Sequence, residues 1–193
     1  MTPDEKKFCR GIDGLLKFSG YKRHPAESCW TSGSYQGIAR KIYLEFSKGF
    51  IKVTIGLDFV DLESYLPPEA VPVTRTLKNF SSICPHPQNY HIAERHGRLA
   101  LDLFNYAGPF LRKLSDHDLV IKLLKRKSPA SWPTNSYSDR VRLLPLLIAH
   151  KGQIEEACNL VKEFLAEIKT NNKPVPEYET FARAFAERFG CNF

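Results

Sequence analysis

No stretch of this chain approaches the roughly 20 apolar residues that span a bilayer; the most apolar run, Leu143 to Ala149, is seven residues long and contains Pro145. No Gly-x-Ser-x-Gly elbow, Walker loop or Gly-x-Gly-x-x-Gly turn occurs, so the linear signatures of an α/β-hydrolase, a P-loop NTPase and a dinucleotide-binding enzyme are missing. The five cysteines, Cys9, Cys29, Cys84, Cys158 and Cys191, form no Cys-x-x-Cys pair. An odd, scattered set reads as reduced thiols rather than a disulfide framework. The segment Met1 to Lys7 is polar and no apolar stretch of signal-peptide length follows it. The expectation is therefore a cytoplasmic protein, in which the sequon Asn79-Phe-Ser81 stays unglycosylated.

What is present is the composition of a folded chain: 193 residues, 42% hydrophobic, 12% aromatic and 25% charged. At this size folding buries about 70% of the surface an unfolded chain exposes, so the core needs neither metal nor disulfide. The formal charge of +7 is unevenly spread. Residues 1–70 carry ten basic and nine acidic side chains, residues 71–151 thirteen and five, and residues 152–193 five and seven. The excess lies in the middle of the sequence, which is where an argument about charged partners belongs.

Thr2 before Pro3 marks a helix start, and Phe8, Ile12, Leu15 and Leu16 share one face up to Gly20. The period then changes to two. Ile42, Leu44 and Phe46 alternate with polar neighbours, and after Lys48-Gly49 the apolar set resumes as Ile51, Val53, Ile55, Leu57 and Phe59. A two-residue turn there sets Glu45 opposite Lys52 and Leu44 opposite Val53, so both faces agree with a single hairpin over 37–60. A short strand carrying Trp30 is expected beside its outer edge. Prolines 67, 68, 72, 85 and 87 make residues 67–88 an extended connection, with an edge strand at Val71 to Leu77. Helical periodicity follows at about 90–106, 116–127, 136–150, 153–169 and 177–189. The fold class is α+β: an N-terminal helix, a small antiparallel sheet and a helical run, in one domain over 1–193 whose parts are 1–66, 67–88 and 89–193.

Candidate chemistry is sparse. Cys84, His86, His91 and His96 cluster within thirteen residues, yet they lack the two close ligand pairs of a structural zinc site; no metal and no cofactor is expected. Asp58 and Asp61, and Asp116 and Asp118, read as strand-end polar groups and helix caps. The most informative feature is cationic. Lys122, Lys125, Arg126 and Lys127 finish one helix, Trp132 and Tyr137 sit in and after the loop, and Arg140 and Arg142 open the next helix. Such a patch fits an acidic protein partner paired by charge around an aromatic anchor. Nucleic acid is the alternative, through phosphates and stacking, although no Gly-x-x-Gly clamp or aromatic-rich strand pair supports it. An enzyme without a linear signature stays open as the third reading.

Several short motifs lie in a familiar order: Gly20-Tyr-Lys-Arg23, Trp30, Ile55-Gly-Leu57, Gly108-Pro-Phe-Leu111, Leu114-Ser-Asp116, Leu147-Ile-Ala-His-Lys-Gly152 and Glu155-Glu-Ala157. Together they resemble a family of small bacterial α+β proteins catalogued as a domain of unknown function. The resemblance implies a place near toxin and immunity genes and supplies no catalytic residues. The expected function is thus non-enzymatic binding of an acidic or mixed-charge protein, such as a toxin blocked by an immunity protein.

Overall fold

The computed structural model describes residues 1–24, 28–62, 64–65, 75–84, 90–93, 96–171 and 175–192. The five prolines of the expected connection, His86 and the first half of the expected edge strand lie outside the described residues. The fold class is α+β, as the sequence indicates, and the chain divides into two compact units. Unit 1 comprises Met1–Asp58 and Leu77–Ser115; unit 2 comprises Phe59–Thr76 and Asp116–Phe193.

Unit 1 opens with helix α1, Pro3–Phe18. Thr2 closes a capping box at its start: its hydroxyl accepts from the Glu5 amide, and the Glu5 carboxylate accepts from the Thr2 amide at 2.7 Å. Strands β1 (Tyr21–Arg23), β2 (Cys29–Ser32), β3 (Ile38–Ser47), β4 (Phe50–Phe59) and β5 (Arg75–Asn79) follow in spatial order, and β6 (Tyr90–His91) pairs with β4 beside this path. β2 runs antiparallel to β3 with Trp30 opposite Ile42, the neighbour expected for the Trp30 strand. At the hairpin, Lys48 and Gly49 both take positive φ, 48° and 82°, the geometry of a tight turn that follows strand twist. Glu45 and Lys52 form an ion pair at 3.3 Å, and the apolar positions of β4 from Ile51 to Phe59 are buried. The expected helix at 90–106 requires correction. Tyr90–His91 is a strand, and helix begins only with α2 at Gly97–Asp102, continues through a π turn at Leu103–Ala107 and ends with α3 at Gly108–Lys113.

Unit 2 begins with the last residue of β4 and a short 3-10 turn, Val60–Leu62. It resumes with α4 (His117–Leu124), α5 (Tyr137–His150), α6 (Ile154–Thr170) and α7 (Tyr178–Phe189). Helix α5 is its axis, since every residue from Val141 to Ala149 is buried. Pro145 inside α5 supplies no amide to the Val141 carbonyl one turn back; the Tyr178 hydroxyl donates to that oxygen instead, at 3.3 Å. Cys158 and Cys191 form a disulfide that closes the chain after α7 onto α6. This corrects the expectation of five reduced thiols: the two partners are 33 residues apart in sequence, and only the fold brings their α-carbons to 5.6 Å. Cys9, Cys29 and Cys84 are free and buried.

Candidate functional site

The cationic segment lies entirely in unit 2. Asp116 caps α4 as expected, accepting from the Asp118 amide at 2.9 Å. At the far end of α4 the cations divide by role. Lys122, Arg126 and Lys127 are exposed and enter no side-chain ion pair among the described residues. Lys125 is exposed too, but its ammonium meets the Glu156 carboxylate at 2.5 Å.

Trp132 is not a protruding anchor. It is 6% exposed, and its indole N–H donates to the Arg126 carbonyl at 2.7 Å, which ties the loop to the end of α4. Arg140 lies over both the Trp132 ring, 4.7 Å from its centroid, and the Phe164 ring of α6, at 5.0 Å. Its Nε donates to the Leu124 carbonyl at 2.8 Å, so the guanidinium caps the electronegative end of α4. Burial lowers the Arg140 pKa, which Tyr137 and Glu167 partly offset. Burial first, then the Glu167 carboxylate, pushes the Tyr137 phenol up to about 12. Arg142, expected on this surface, is 6% exposed and belongs to the core: it donates to the Ser138 hydroxyl at 2.7 Å and to the Pro176 carbonyl. Position 142 falls inside the buried stretch of α5, which turns the side chain inward.

Four of the eight residues singled out by sequence, Lys127, Trp132, Tyr137 and Arg140, line one open cleft of about 730 Å³, together with Pro129, Asn135 and Glu167. The cleft has aromatic walls, cationic edges and one carboxylate. Lys122, Lys125, Arg126 and Arg142 are not in its lining. The framework is fixed by the loop's own polar groups. Thr134 donates to Asp139 at 2.9 Å, and Ser136 caps α5 by accepting from the Asp139 amide at 3.1 Å.

A second constellation in unit 2 has no linear signal. Asp61 of the 3-10 turn, His117 at the start of α4 and His150 at the end of α5 converge, with one ligand-type atom from each lying within 4.8 Å of the others. His117 titrates below its ordinary range, chiefly through burial, with His150 and Lys151 acting the same way and Asp61 opposing. The histidine cluster considered from sequence differs: His91 and His96 belong to unit 1, where His91 stacks edge-on against Phe50 and His96 against Phe8. Asp58, a neighbour of Asp61 in sequence, pairs with Lys41 in unit 1. No described helix is long and apolar enough to cross a membrane. Comparisons with family models, with curated proteins and with solved structures found no match to this chain.

Proposed function

We propose that the protein acts by binding an acidic or mixed-charge protein partner at the α4–α5 end of unit 2. The observation that carries the reading is the convergence of Lys127, Trp132, Tyr137 and Arg140 on one cleft, with Lys122 exposed in the last turn of α4 and Arg126 exposed just after it. An acidic side chain of the partner enters between the Lys127 and Arg140 cations, where the two aromatic rings exclude water and strengthen the contact. The outer cations steer encounter. Exposed apolar residues in unit 1, Leu15 and Phe104 in one small groove, also suit a protein partner better than a small metabolite. The resemblance of the sequence motifs to a family near toxin and immunity genes supports an inhibitor of the immunity type.

The test uses the full chain to capture partners, followed by association kinetics with the protein recovered. Replacing Lys122, Arg126 and Lys127 by Glu is expected to slow association at least tenfold at low salt and to flatten its salt dependence. Unchanged association sinks the reading. Affinity for a random single-stranded DNA that falls steeply with salt and disappears in the triple variant replaces it with the nucleic-acid alternative. A cytoplasmic home belongs to the same proposal, and the Cys158–Cys191 bridge is the observation against it, because cytosolic thiols are held reduced. Quenching thiol exchange with acid at lysis, alkylating under denaturing conditions and weighing the protein decides: five alkylated cysteines are expected in the cytoplasm, three in an oxidising compartment.

A further inference from the structure

The Asp61, His117 and His150 cluster is built from three separate pieces of unit 2, and both imidazoles have a neighbour that fixes their rings. Asp61 Oδ2 lies 3.3 Å from His150 Nε2 and 3.6 Å from His117 Nε2. A tetrahedral ion with bonds of about 2.1 Å sets its ligand atoms roughly 3.4 Å apart, so two edges of the site already have the right length. The third, imidazole to imidazole, is no longer than 4.8 Å. The opposite nitrogen of His150, Nδ1, is 2.8 Å from the Tyr65 hydroxyl, whose ring packs against Phe189. A bond at the far ring nitrogen is how a ligating histidine is oriented and its tautomer selected. His117 is held by its tilted contact with the Phe59 ring, 5.7 Å between centroids. Next to the two histidines in sequence, Asp118 and Lys151 form an ion pair at 2.9 Å that fastens the start of α4 to the end of α5.

An ion pair alone accounts poorly for this arrangement. Asp61 Oδ1 and His117 Nε2 are buried and have no hydrogen-bond partner among the described residues. Buried polar atoms are nearly always matched, and two unmatched ones on adjacent ligand-type groups need an explanation. The three side chains nevertheless keep 13 to 29% of their surface accessible, so the cluster lies close to the surface of unit 2.

We propose that Asp61, His117 and His150 bind one divalent transition-metal ion of the zinc class, with Tyr65 as the positioning group behind His150. Two imidazoles and one carboxylate favour such an ion over magnesium or calcium, which prefer oxygen ligands. Three protein ligands leave a fourth position to be filled by water or another ligand.

Zinc chloride is titrated into the tag-free full chain by calorimetry, and long-range imidazole ¹H–¹⁵N spectra of the wild type are followed in parallel. Binding of one ion per chain is expected, with perturbation of the His117 and His150 resonances while His24, His91 and His96 stay in place. Tyr65→Phe is expected to weaken binding about tenfold, and Asp61→Asn, His117→Gln and His150→Gln each by more than the roughly 100-fold ceiling of an outer-shell change. The wild-type spectra decide even if a variant fails to fold. Absent or non-saturating binding overturns the proposal, as does binding that moves other histidines or survives all three ligand substitutions.

Discussion

At the residue scale, Arg140 does several things at once, and only one of them was legible in the sequence. A cation following an aromatic-bearing loop reads as surface charge, yet the side chain lies over two rings and caps α4 through the Leu124 carbonyl. Lysine has neither the planar face nor the fork. Arg140→Lys is expected to cost about 2 kcal/mol, the scale of one lost charge-assisted hydrogen bond with its stacking, whereas Lys127→Ala costs under about 0.5 kcal/mol as a surface change. Urea denaturation of both variants measures the difference, and equal midpoints contradict the role assigned to Arg140. Arg142 carried a warning in the sequence itself, since it stands at the edge of the apolar run that forms the buried part of α5. The Asp61, His117 and His150 cluster carried none: its members are spread from 61 to 150, and no periodicity relates a turn after a strand to the ends of two helices.

At the element scale, the long periodic segments were readable and the short ones were not. Helices α1, α5, α6 and α7 each begin within one residue of the expected position, because side-chain caps at Thr2 and Ser136 start α1 and α5 and amphipathic spacing marks α1, α6 and α7. The three residues of β1 and the two of β6 are too few to show a period; β6 is set by its pairing with Phe50 and Ile51 at the start of β4. Two glycines of α1 separate intrinsic propensity from packing. A β-carbon on Gly14 meets nothing within 4 Å, so Gly14→Ala is expected to stabilise the chain by about 1 kcal/mol. A β-carbon on Gly11 falls 2.5 Å from Nδ1 of His96, whose ring is held edge-on by Phe8. Gly11→Ala is therefore expected to destabilise despite the same gain in helix propensity, by about 1 to 3 kcal/mol. Melting temperatures of the two variants must move in opposite directions; a rise in both removes the packing argument.

At the scale of the whole molecule, the fold redistributes the charge that the sequence placed in its middle third. Counted by unit, unit 1 holds fifteen basic and eight acidic residues, and unit 2 thirteen of each. The +7 therefore belongs to unit 1, while the α4–α5 cations are a local feature of a neutral unit. A weak attraction to DNA that persists when Lys122, Arg126 and Lys127 are changed to Glu is accordingly expected from unit 1, whereas association with the acidic partner is not expected to survive the change. Filter binding of the wild type and the variant to the same oligonucleotide checks this; a loss of DNA binding in the variant places the attraction in unit 2 instead.

The chain passes from unit 1 to unit 2 at residue 59, returns at 77 and leaves again at 116. On a ribosome, unit 1 has all of its sequence once Ser115 emerges, whereas Val60–Leu62 belong to a unit whose helices are still to be made. That turn includes Asp61 and the buried Leu62. Synthesis order thus completes the first unit before the second, and a chain released early, before α7, has all of unit 1 while unit 2 lacks the buried Tyr178, Phe181 and Phe185.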